Sequence, residues 1–148
     1  MCKFLFKAMR YSFAGLLATF PMTLWMLAGD RLLPHQKEER LPPEEITKNI
    51  ADTTGLEAVK NHKPTREAVS TINHYMVGAA AALPFLLLGK PSVGKGVFYG
   101  FLVWFGNYAG ILPNLHLYPP ATQKSARMNT LMLVAHLIWG ASLGKNLS

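Results

Sequence analysis

Apolar residues come in four long runs, separated by two short polar turns and one extended polar stretch. The runs are Tyr11 to Gly29, Val69 to Gly89, residues 94–112 and Met128 to Gly144. They are 17 to 21 residues long, close to the roughly 20 that a helix needs to cross a hydrocarbon core. None alternates with the two-residue period of a barrel strand, and backbone in lipid must bond internally, so the pattern predicts helices. The fold expected is an all-α integral membrane four-helix bundle. It forms one domain over residues 1–148, with a polar extramembrane loop, 30–66, between the first two spans.

Punctuation along the chain refines this picture. Pro21 and Pro84 fall inside spans one and two, where kinks are expected because proline lacks a backbone donor. In the polar loop, Pro42 and Pro43 open a stretch with Ile46 and Ile50 four apart and Gly55 as a stop. That stretch predicts a short solvated or interfacial helix capping the bundle.

Charge sharpens the assignment. All eight acidic residues lie between Asp30 and Glu67, whereas eight of the 15 Lys and Arg lie outside that window. Those eight (Lys3, Lys7, Arg10, Lys90, Lys95, Lys124, Arg127 and Lys145) sit at the ends of apolar runs, where cations meet headgroups. A net charge of +7 would suit nucleic acid, but this placement argues against such a partner. The expected partner is the lipid bilayer. An even number of spans puts both termini on one side, and the basic start favours the cytoplasm. The same start would suit a signal peptide, but the apolar run is long and its cleavage pattern poor, so the segment is expected to be retained. A lone Cys2 excludes an intrachain disulfide and a multi-Cys zinc site.

Spans two and four share a local pattern. His74 is followed by Gly78-Ala79 just as His136 is followed by Gly140-Ala141. The two helices run parallel in a four-span topology, which puts both histidines roughly 12 to 15 Å below the same face. Asn107 on span three falls in the same half of the membrane. His74, Asn107 and His136 therefore form the candidate intramembrane polar cluster, since ionisable groups in spans face the interior. Three readings fit it: interhelical hydrogen bonding, a proton or polar-solute path, or a bis-histidine haem b site with His74 and His136 as axial ligands. No other metal site is expected.

Small residues at four-residue spacing allow helices to approach closely. Gly78, Gly100, Gly106, Gly110, Gly140 and Gly144 are the expected packing positions, within one bundle or across a homo-oligomer. Gly89 to Gly96 satisfies the spacing of a nucleotide phosphate loop. It follows a span rather than a strand, and Gly96 stands where Ser or Thr should hold magnesium, so no nucleotide is expected. No G-x-S-x-G elbow is present, and the acidic residues show no His-rich metal pattern. No catalytic residue and no enzymatic activity are expected.

The stretch Leu117-Tyr118-Pro119-Pro120, followed by Ala135-His136-Leu137-Ile138-Trp139-Gly140, resembles the YagU-like group of bacterial inner-membrane proteins. The second span with His74 and the segment Ala18 to Thr23 are similar too. This resemblance implies a small multi-pass protein of the bacterial cytoplasmic membrane and brings no activity or cofactor with it. The function expected is a structural or accessory membrane subunit, alone or in a larger complex. The alternatives are a small proton- or solute-conducting carrier using His74, His136 and Asn107, or a haem b protein.

Overall fold

The computed structural model describes residues 2–32 and 40–148; residues 33–39 of the predicted polar loop lie outside the described residues. Every regular element among the described residues is helical. Four long helices dominate: α1 (Cys2–Leu32), α4 (Lys63–Ala81), α5 (Val93–Gly106) and α7 (Ala126–Leu147). Two shorter ones, α2 (Pro42–Thr54) and α3 (Glu57–Asn61), occupy the polar stretch.

Local chemistry sets most of these boundaries. Pro42 and Pro43 start α2, and Gly55 ends it in the left-handed conformation at φ 71°, which glycine adopts without a Cβ clash. The Ser92 and Ser125 hydroxyls accept from the backbone N–H of Lys95 and Met128, capping α5 and α7. Pro84 cannot donate and would clash with an earlier carbonyl, so α4 stops at Ala81 and continues as a 3-10 segment, Leu83–Leu88. Pro21, by contrast, lies inside an α1 that continues through it. Beyond Gly106 the chain stays helical but widens to a π turn, Asn107–Ile111, before the brief α6 (Leu112–Asn114).

Helix α7 lies at the centre. Met128, Leu131, Met132, Ala135, His136, Trp139, Leu143 and Leu147 are all buried along it. It packs between α1 and α5, and α4 lies on the other side of α1. Two tryptophans pin α1 to α7: Trp25 Nε1 donates to Leu131 O at 3.2 Å, and Trp139 Nε1 to Gly15 O at 3.3 Å. Arg10 closes one end through Leu147 O, and Arg127 the other through Gly29 O.

Where α5 crosses α7 the two backbones touch. A Cβ added at Gly96 would meet Gly140 O; at Gly100, His136 O; at Gly140, Gly96 O; at Gly144, Ser92 O. Across α1 and α4, a Cβ at Gly78 would meet the Thr19 hydroxyl. Four of the expected packing positions, Gly78, Gly100, Gly140 and Gly144, thus sit at helix crossings. Gly106 and Gly110 do not: nothing lies within 4 Å of a Cβ at either. Within one chain these two positions make no helix crossing. Gly106 precedes the widened turn and Gly110 lies within it, and Tyr108 takes the buried position there.

Two helical stretches, Lys3–Leu32 and Lys63–Leu88, are long and apolar enough to cross a membrane. The expected third span is divided among α5, the π turn and α6, and the fourth, Met128 to Gly144, carries Asn129 and His136 within α7. The glycine crossing makes a direct prediction. Gly140→Ala sets a methyl against fixed backbone and should destabilise the fold by about 1–3 kcal/mol. Gly106→Ala, with open space and a better helix former, should be neutral or stabilising by up to about 1 kcal/mol. Thermal unfolding of both variants in detergent checks the contrast.

Candidate functional site

The site is built around the middle of α7. His136 is buried, and its Nδ1 lies 2.8 Å from Met132 O, one turn earlier. A carbonyl can only accept, so the ring proton sits on Nδ1 and Nε2 is the nitrogen left free. His74 lies on α4, with its ring edge-on to Tyr75 at a centroid distance of 6.1 Å. Its Nε2 is buried and has no hydrogen-bond partner. A buried polar atom without a partner costs about 1–3 kcal/mol. Such a group marks a place where structure has been set aside for something else, or where a small polar molecule fits.

The helix opposite explains the shape of this region. A π turn inserts an extra residue into a helical face, and such turns are frequent at functional sites. Here it aims Tyr108 inward. The Tyr108 ring stands edge-on to His136 with centroids 5.8 Å apart, edge-on to Tyr118 at 5.4 Å, and stacked on Trp104 at 6.3 Å. The Trp104 Nε1 is the second buried nitrogen here without a hydrogen-bond partner. Asn107, one residue earlier, begins the π turn half-buried, and its side chain makes no hydrogen bond to either histidine. The ring that stands against His136 is therefore Tyr108, on the π turn, and not Asn107.

Outward from Tyr108, the cluster reaches the polar side of the bundle. Lys124 Nζ lies 4.7 Å from the Tyr118 ring centroid and donates to both Glu45 oxygens, at 2.9 and 3.2 Å. Glu45 belongs to α2, which rests on α4. Arg66 Nε holds the neighbouring Glu44 at 3.3 Å, and Asn49 donates to Leu117 O at 2.9 Å. Helix α2 thus roofs the site, and one file of side chains runs Glu45, Lys124, Tyr118, Tyr108, His136. Desolvated aromatic and cation–aromatic contacts of this kind contribute about 0.5–2 kcal/mol each.

The candidate cluster read from the sequence includes neither Tyr108, Tyr118 nor Trp104. A π turn has no sequence signature, and Glu45 and Lys124 are 79 positions apart, so no local pattern joins them. Among the described residues no three His, Cys, Asp or Glu gather as a metal site. The two histidines could bind a metal or haem only as a pair.

With this arrangement in view, the comparisons with known proteins can be read. Residues 7–148 match a family of unknown function, DUF6789, and the chain belongs to that family. No curated protein and no solved structure matches it.

The roof makes its own prediction. The Lys124 and Glu45 side chains are only 13% and 23% exposed, so their pairing is little screened by solvent. A double-mutant cycle on Lys124→Met and Glu45→Gln, read by thermal unfolding, should give a coupling of about 1–2 kcal/mol. A coupling near zero would mean that the contact contributes nothing to holding α2 in place.

Proposed function

We propose that this chain is a four-span, non-enzymatic protein of the bacterial cytoplasmic membrane, acting as a structural or accessory subunit. The observation that carries this reading is the outer surface. Phe13, Leu17, Phe20 and Leu24 on α1, Ile72, Met76 and Val77 on α4, and Phe98, Phe101, Leu102 and Phe105 on α5 are all exposed. Monomers in water rarely carry so continuous an apolar girdle. Between the two ends the girdle is free of charge, and every ionised side chain on the four long helices falls near a helix terminus. The resemblance to the YagU-like group supports the same setting. Glycine crossings supply the packing that joins helices in lipid, where apolar burial gives little driving force. Both termini then face the cytoplasm, and the open faces at Gly106 and Gly110 suit a second copy or a larger membrane complex.

A second reading rests on one observation, the buried and unpartnered Nε2 of His74. In a membrane interior such groups belong to a path for protons or a small polar solute. Here that path would enter beneath α2 at Glu45 and Lys124 and pass Tyr118, Tyr108 and His136.

One preparation tests both readings. Reconstituted into vesicles, the protein should resist alkaline carbonate extraction and float with the lipid; release by carbonate would contradict the membrane reading. A structural role predicts no proton flux above that of empty vesicles. A conducting role predicts flux that falls at least tenfold in His74→Ala and His136→Ala, with insertion unchanged. A dithionite-reduced absorption spectrum of the same sample shows a Soret band only if the two histidines hold haem.

A further inference from the structure

The ionic contacts of this molecule are distributed very unevenly. The pairs Arg40–Glu44, Lys60–Asp52, Lys63–Glu67, Arg66–Glu44, Lys124–Glu45 and Arg127–Asp30 all lie at the end roofed by α2. The opposite end collects the start of α1, the turn before α5 and the end of α7. Arg10 bonded to Leu147 O and the close approach of Gly144 to Ser92 O hold these three together. Six cations, Lys3, Lys7, Arg10, Lys90, Lys95 and Lys145, are exposed there, and the sequence has no Asp or Glu side chain in those segments.

Among the described residues, their contacts are all with uncharged groups. Lys7 Nζ stands 5.9 Å from the Tyr11 ring centroid. Lys95 Nζ donates to Leu88 O at 2.9 Å and Lys90 O at 3.0 Å, which folds it back over the α4–α5 turn and leaves its third donor free. Arg10 uses one of its five donors on Leu147 O. No carboxylate side chain among the described residues pairs with them, which leaves them open to an anion from outside the chain. The apolar side chains beside them say from where. Phe4, Leu5 and Phe6 flank Lys3 and Lys7, and Leu87, Leu88 and Val93 flank Lys90 and Lys95, all of them exposed. A soluble anion would meet the cations but leave these groups in water. An anionic phospholipid satisfies both, phosphate to the cations and acyl chain to the apolar groups.

We infer that this end of the molecule is a binding surface for anionic phospholipid headgroups, with Lys90 and Lys95 on one side and Lys7 and Arg10 on the other. The inference rests on the membrane reading above and adds a lipid class to it. Gly94, with nothing within 4 Å of a Cβ, leaves room for a headgroup against the turn.

The test uses the full chain in nanodiscs of phosphatidylcholine, with and without phosphatidylglycerol, and native mass spectrometry of lipid retained after release into detergent. Phosphatidylglycerol should be retained in preference to phosphatidylcholine. Retention should fall roughly five-fold for each cation removed in Arg10→Gln, Lys90→Gln and Lys95→Gln, and Lys95→Arg should keep it. Lys60→Gln and Lys63→Gln, whose cations face Asp52 and Glu67, should leave it unchanged. Equal retention of the two lipids, or an equal loss in the Lys60 and Lys63 variants, overturns the inference. So does displacement of the lipid by millimolar inorganic phosphate, which would make free phosphate the ligand. A protein that never enters phosphatidylcholine nanodiscs overturns the membrane reading as well, whereas entry without lipid preference overturns the lipid inference alone.

Discussion

The backbone contact between α5 and α7 is the constraint on which the rest of this structure depends. Gly96 and Gly100 lie against Gly140, Gly144 and the carbonyl of His136 so closely that no Cβ fits between them. Such proximity multiplies dispersion contacts along both helices, each tiny alone and large in sum. It also fixes the register of α5 on α7, and with it the depth at which Tyr108 meets His136. Once α7 is held on that side, Trp25 and Trp139 hold α1 on the other, and α4 follows through Thr19 and Gly78.

That register gives the histidine cluster its character. His136 spends one nitrogen on Met132 O, inside its own helix, and turns its ring to Tyr108. His74 brings a buried nitrogen that no group among the described residues satisfies. The π turn is the compensating irregularity: it breaks the regular ladder of α5 so that an aromatic side chain reaches inward at this depth. The charged roof of α2 then closes over the polar end through Glu45 and Lys124.

Much of the architecture was legible in the chain. Four apolar runs marked the four long helices, Pro42-Pro43 and Gly55 bracketed α2, and the shared His-x-x-x-Gly-Ala pattern picked out His74 and His136, of which His136 is buried and His74 has a buried Nε2. The boundaries shifted where the pattern was silent: α1 begins at Cys2, well before its apolar run. Asn107 looked like the third member because it falls in the same half of the span as the histidines. The π turn gives the buried position to Tyr108, and within one chain Gly106 and Gly110 meet no neighbouring helix. Small-xxx-small spacing identifies helices able to pack closely but does not say which face finds a partner. Glu45 and Lys124 could not be paired from sequence, because only the packed helices bring them together.

The central claim is that the apolar girdle around these helices faces lipid. Nitroxide labels at Leu17→Cys, Phe20→Cys and Phe101→Cys, in a Cys2→Ser background and reconstituted in vesicles, test it by power-saturation spin resonance. The account predicts strong relaxation by oxygen and almost none by a water-soluble nickel complex at all three sites, with the reverse at Lys60→Cys. Ready access of the nickel complex to Phe20 and Phe101 would contradict it, because the girdle would then face water.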